Sequence, residues 1–257
     1  MRNIKLLGVS VLALFVFGAF AASAWASPGN GELVQCAKVS KTKLSEEEPK
    51  AIYHGKYSLK TCATEASETE QKEGKKNKYE IEEYPEGPVT GKGKAVTIKI
   101  TGEGAKAETI TCKKSSAAGE IYENSLVYSL TLEKCSNGEA KENCGTGGKI
   151  ETGEWGLFVA FANEAETEML ANTAPFFPPE FKCGTETITL KGNEYLLGAI
   201  TGNGKDLIVK YAVNGGGEQE LQTYYEEGKP HGPSTLAHGG TLTGELEFKL
   251  KGIYVRP

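Results

Sequence analysis

The chain has 257 residues, with 29 Lys+Arg against 34 Asp+Glu and a net charge of −5. That length builds one sizeable core, or one core with a smaller appendage. An acidic balance repels phosphate backbones and anionic lipids at long range, which argues against nucleic acid and membrane as partners. Asp206 is the only aspartate, and Arg2 and Arg256 are the only arginines. Calcium loops need closely spaced Asp and Asn, and bidentate anion clamps need Arg, so neither chemistry organises this chain.

The first 26 residues read as an export signal. Arg2 and Lys5 supply a positive start, Leu6 to Ala22 is an uncharged and mostly apolar run, and Ala24-Trp25-Ala26 offers the small-x-small pattern of a signal-peptidase site. The apolar run approaches the lower limit for a spanning helix, but its taper into Ala and Ser favours cleavage over anchoring. The mature chain then begins at Ser27. Removing Arg2 and Lys5 from the 29 basic residues leaves 27 against 34 acidic ones, a net charge of −7. The expected location is outside the cell or in the cell envelope, with no membrane association after cleavage.

In chain order, Leu33 to Val39 and Tyr53 to Leu59 read as two short strands around a charged loop, Lys41 to Lys50. Thr64 to Lys78 is Glu, Lys and Ser with almost nothing apolar, which suits a solvated loop or a frayed helix. Tyr79 to Tyr84 alternates again until Pro85-Glu86-Gly87-Pro88 stops it, and a module boundary is placed there. From Ala95 onward strand follows strand. Val96, Ile98 and Ile100 alternate with polar residues, as do Tyr128, Leu130 and Leu132, then Leu207 to Tyr211, then Leu246, Phe248 and Leu250. Gly and Asn punctuate the junctions. Glu164 to Asn172 dissents, with the propensity for a single-turn helix. A faint echo links Glu108 to Lys113 with Glu186 to Lys191, although Thr/Ile alternation is also what ordinary strands are made of.

These patterns predict an all-β protein, an antiparallel β-sandwich or barrel over residues 88–257, with a small disulfide-pinned N-terminal module over 27–87. Six cysteines in an exported chain read as three disulfides: Cys36, Cys62, Cys112, Cys135, Cys144 and Cys183. None stands in a C-x-x-C pair, so redox and zinc readings lose their usual support. Sequence alone does not select the connectivity. Pairing neighbours first gives Cys36–Cys62, Cys135–Cys144 and Cys112–Cys183.

The segment Cys36-Ala37-Lys38-Val39, then Gly55-Lys56-Tyr57 with Cys62 and Lys78-Tyr79-Glu80, resembles the N-terminal signature of uncharacterised exported β-rich proteins found as multiple paralogues in actinobacteria. Ile110-Thr111-Cys112 through Gly119-Glu120-Ile121 to Leu132-Glu133-Lys134-Cys135 is similar to their central block, as is the late Gly217-Glu218-Gln219-Glu220-Leu221. The likeness spans most of the mature chain. It implies a bacterial origin and an exported β-rich protein, and carries no functional residues.

Catalytic constellations are scarce. His231 and His238 share a Pro/Gly/Ser loop with Ser234, but no Gly-x-Ser-x-Gly elbow surrounds that serine, and His54 stands far off in sequence. No histidine spacing matches a zinc template, and nothing calls for a cofactor. With 33 glutamates some carboxylate pair meets the spacing for glycoside cleavage by chance. Glu154 stands out only because Trp155 beside it could stack a sugar, yet Trp155 heads an apolar strand and suits core packing. Tyr224 and Tyr225, and Tyr53 with Tyr57, are the other aromatic candidates. Adjacent strand residues face opposite ways, so one of Tyr224 and Tyr225 points inward. The function read from the sequence is a non-catalytic extracellular or cell-envelope structural or interaction protein with an unidentified extracellular or cell-wall partner. A carbohydrate-binding module on Trp155, Tyr224 and Tyr225 is the alternative, and a secreted hydrolase stands behind it.

Overall fold

A computed structural model describes residues 31–42, 51–62, 65–102, 105–122, 125–138, 141–176, 179–189, 196–202, 204–226, 229–232 and 240–256. The export signal, most of the charged loop after Thr42, Ser234 and His238 lie outside the described residues. The chain forms β1 (Glu32–Lys38), β2 (Lys41–Thr42), β3 (Ile52–Tyr53), a helix α1 (Glu68–Glu73), β4 (Tyr79–Glu83), β5 (Gly87–Gly93), β6 (Val96–Gly102), β7 (Ala105–Tyr122), β8 (Ser125–Asn137) and β9 (Lys149–Phe161). There follow β10 (Met169–Pro175), β11 (Glu180–Cys183), β12 (Glu186–Thr189), β13 (Leu196–Gly202), β14 (Asp206–Tyr211), β15 (Tyr224–Glu226), β16 (Lys229–His231), β17 (Thr241–Lys249) and β18 (Ile253–Arg256).

An eight-stranded antiparallel barrel dominates the molecule. β5 and β6 run end to end along β7 and share one place in the wall. From there the strands pair in chain order, β7 with β8, β8 with β9, β9 with β10, β10 with β13, β13 with β14 and β14 with β17. β17 returns to β5 and β6. Of the sandwich and the barrel, the β9–β10 ladder from Phe161↔Met169 to Trp155↔Pro175 decides for the barrel, and closure leaves the wall without an open edge.

The alternation foreseen in the sequence sets the faces. Val96, Ile98, Ile100, Tyr128, Leu130, Leu132, Leu207, Val209, Tyr211, Leu246, Phe248 and Leu250 are all buried, while Lys99, Lys210 and Lys249 between them are exposed. Gly119 permits the tightest approach in the wall. A Cβ there would lie 1.9 Å from the Val127 carbonyl oxygen and 2.5 Å from the Tyr128 Cα.

The segment before the barrel contributes a second sheet in the order β18-β1-β4, so the last strand completes the first segment's sheet. Leu33 and Ile253 of that sheet are fully buried in the barrel's own core. A Cβ on Gly202 would stand 2.9 Å from the Tyr254 backbone, which shows how closely β18 passes the turn after β13. α1 is the solvated helix the charge pattern allows. Ser67 and Glu70 form a reciprocal capping box, Gly74 ends the helix in the left-handed region at φ 58°, and none of its residues is buried.

Three expectations change. Glu164 to Asn172 makes no helix: it turns tightly and enters β10 at Met169, because those residues supply the strand that closes the barrel. Cys36–Cys62 forms as expected, but Cys112 bonds Cys135 and Cys144 bonds Cys183, in place of Cys135–Cys144 and Cys112–Cys183. Strand register is the reason. Cys112 and Cys135 are direct cross-strand partners on β7 and β8, and an antiparallel bridge sets Cys144 opposite Cys183 at the end of β11. Cys144 reaches Cys135 only through its backbone, donating its N–H to the Cys135 carbonyl at 3.0 Å. Three disulfides fit an oxidising compartment. Among the described residues no helix is long and apolar enough to cross a membrane.

Candidate functional site

Eight strands enclose just enough space for side chains to fill or for one small ligand to occupy. Here the filling is nearly complete. Tyr128 from β8 meets Phe248 from β17 edge-on, with ring centroids 5.3 Å apart. Thr173 from β10 and Tyr211 from β14 share a hydrogen bond of 2.7 Å between their hydroxyls, and Tyr211 is bonded in turn to Tyr128. Burial drives both phenols away from ionisation: Tyr211 is pushed up to about 12, and Tyr128 well above its ordinary value. The chain of three hydroxyls ties together strands that are not neighbours in the wall.

Beside this floor lies a cavity of about 30 Å³. Val96, Ile98, Leu130, Leu132, Leu242 and Leu246 make its apolar wall. Trp155, only 3% exposed, lines it too, and its Nε1–H has no hydrogen-bond partner. Ser115 and Glu245 border it as well, but scarcely any of its lining is polar, and Glu245 stands beside exposed Lys210 on the outer face of the wall. Both engage Lys94, which lies between β5 and β6: Ser115 Oγ donates to the Lys94 carbonyl at 3.2 Å, and the Glu245 carboxylate pairs with Lys94 Nζ at 3.2 Å.

The sequence candidates scatter around this centre. Trp155 belongs to the core, as its apolar strand foretold, and Glu154 points to the opposite, exposed face of β9. Tyr224 is buried on the outside of the wall with Leu170 and Leu197, its ring stacked on His231 at 5.0 Å. Tyr225 is half-buried opposite Phe161. Trp155, Tyr224 and Tyr225 therefore do not form an exposed row. Tyr53 and Tyr57 do not offer bare rings either: Lys41 and Lys78 approach the first at 5.1 and 5.7 Å, Lys56 and Arg256 the second at 5.9 and 5.6 Å. His54 Nε2 contacts the Thr42 carbonyl at 3.1 Å, and His231 is exposed on β16. Among the described residues no group of three or more His, Cys, Asp or Glu could hold a metal ion.

Sequence reasoning missed Ser115, Thr173 and Tyr211 as members of one centre. The alternation turned Tyr128 and Tyr211 inward, but nothing local says that residues 83 positions apart meet. The chain matches no family model, no curated protein and no solved structure.

Proposed function

We propose that this is an exported, non-catalytic protein that acts outside the cell or in its envelope as a structural or interaction module. The observation that supports this most is the disulfide set. All six cysteines are bonded, and one bridge lies in the long β7–β8 ladder of the barrel wall. Bonds of this kind persist in oxidising surroundings and are rare in a reduced cytosol. The likeness to exported actinobacterial paralogues agrees with the same reading. The partner is an extracellular or cell-wall component, and the acidic mature surface turns away nucleic acid and anionic membrane. The carbohydrate alternative has less support, because Trp155 and Tyr224 are buried and only Tyr225 of its three rings is partly exposed.

The test is expression of the full chain with a C-terminal tag in an actinobacterial host, followed by fractionation, N-terminal sequencing and thiol counting. The expected product lies outside the cytoplasm, starts at Ser27 and has no free thiol. A full-length cytoplasmic product with reduced cysteines would overturn the reading. Incubating the oxidised product with envelope fractions and a glycan array then identifies the partner, and turnover of any arrayed substrate would refute the non-catalytic assignment.

A further inference from the structure

We propose that the Cys36–Cys62 disulfide is a redox clasp: a dithiol opens it ahead of the other two bridges, and its opening releases residues 55–62 from the N-terminal sheet while the barrel stays folded. The inference goes beyond the function proposed above and needs only the oxidised chain.

The three bridges differ in their surroundings. Cys112, Cys135, Cys144 and Cys183 are at most 2% exposed and belong to the barrel's core, so a reductant meets them only when the wall opens. Cys36–Cys62 stands outside that core. Cys36 is half-buried on β1, and Cys62 ends an exposed turn, donating its N–H to the carbonyl of Leu59, which is 51% exposed. Exchange requires a thiolate to reach a disulfide sulfur, and exposed bridges are the labile ones. Cys62 also has φ 50°, in the left-handed region that a Cβ disfavours. The bridge to β1 and the hydrogen bond from Arg256 Nη2 to the Cys62 carbonyl hold it there.

Opening has a local consequence. Among the described residues, none from 34 to 83 belongs to the barrel's core. Residues 55–62 meet the β4 side through the Gly55 N–H on the Asn77 carbonyl, the Lys56 N–H on the Glu80 carboxylate and a reciprocal pair between Tyr57 and Tyr79. The bridge joins residues 26 apart in sequence; without that closure these bonds must order the segment alone. Release uncovers the Tyr57 ring, which is buried when the clasp is shut, and frees the Arg256 guanidinium that lies over it at 5.6 Å. The step is a two-electron exchange. One thiolate of the dithiol attacks Cys36 Sγ, the Sγ–Sγ bond breaks, and Cys62 leaves as a thiolate that takes up a proton. The reductant's second thiolate attacks the mixed disulfide, Cys36 leaves and is protonated, and the reductant departs as its own disulfide.

The probe is dithiothreitol, added to the full oxidised chain, with timed quenching by iodoacetamide and mass spectrometry of each cysteine. Cys36 and Cys62 are expected to be alkylated faster than the four barrel cysteines by about tenfold or more. Hydrogen exchange on the product opened at that bridge alone is expected to show protection of the Tyr57 N–H falling by about tenfold or more, with the β7–β8 amides unchanged. The double variant Cys36→Ser with Cys62→Ser is expected to show the same exchange pattern without reductant. If that variant fails to fold, the time course on the unaltered chain decides. Equal alkylation rates for all six cysteines, loss of β7–β8 protection together with the bridge, or undiminished Tyr57 protection after selective reduction would overturn the proposal.

Discussion

Gln219 is a buried side chain outside the barrel wall that bonds two backbone segments, and Gln219→Leu isolates what it does. The β14–β17 ladder ends at Tyr211↔Gly244, and two residues further on its register would set residue 213 against Leu242. The chain has left the sheet by then, and the Gln219 carboxamide takes the vacated place. Its Oε1 accepts from Leu242 N at 3.1 Å, and its Nε2 donates to the carbonyls of Leu242 and Ala212 at 3.2 and 3.0 Å. The side chain is 1% exposed, so water cannot substitute without entering the fold. Leucine keeps the approximate volume and removes every one of these bonds. Ala212 still accepts from the Glu220 N–H, which leaves the Leu242 N–H and C=O as the groups stranded. Each stranded group costs about 1–3 kcal/mol, so the expected loss is about 3 kcal/mol. For a domain of this size that corresponds to a fall in Tm of about 6–12 °C. Urea unfolding of the oxidised chain measures it, with the midpoint falling and the slope unchanged. A loss below about 0.5 kcal/mol would refute the reasoning, since it lies in the range of surface substitutions.

Three further outcomes are expected. Non-reducing proteolysis and mass spectrometry should link Cys112 to Cys135 and Cys144 to Cys183, and serine at both Cys112 and Cys135 should lower stability by about 3 kcal/mol, the chain-entropy value for a loop of that length; a Cys135–Cys144 peptide would contradict the register. At alkaline pH, Tyr211 holds its proton up to about 12 in the folded protein while the unfolded chain releases it near 10. The unfolded state therefore binds fewer protons in that window, so stability present below about pH 10 should decline as pH rises toward 12. Phenolate absorbance should show Tyr128 and Tyr211 titrating only with unfolding, and Tyr211→Phe should flatten the decline. Gly119→Ala, whose Cβ would collide with the backbone of Val127 and Tyr128, should cost about 2 kcal/mol or more, whereas Gly153→Ala, with open space around it, should cost less than about 1 kcal/mol, both read by thermal unfolding.

Alternation along the strands was enough to determine which faces of Val96 to Ile100, Tyr128 to Leu132 and Leu246 to Leu250 are buried, because a two-residue period is a local property. The polar run from Thr64 to Lys78 likewise announced a solvated segment, loop or frayed helix, and the structure makes Glu68 to Glu73 a helix without a buried face; the even cysteine count announced complete pairing. Connectivity was another matter. Cys135 is nine residues from Cys144 in sequence, yet its partner is Cys112, since the β7–β8 register and not chain distance sets two sulfurs face to face. Glu164 to Asn172 has helical propensity, but closing the barrel needs a strand from Met169 onward, and the ladder to β9 outweighs weak local preference. The interior centre belongs wholly to the tertiary structure. Thr173, Tyr211 and Tyr128 come from separated strands, and Ser115 and Trp155 from two more. Only closure of the sheet turns all five toward one space, because a barrel brings inward-facing residues together across its axis whatever their separation along the chain.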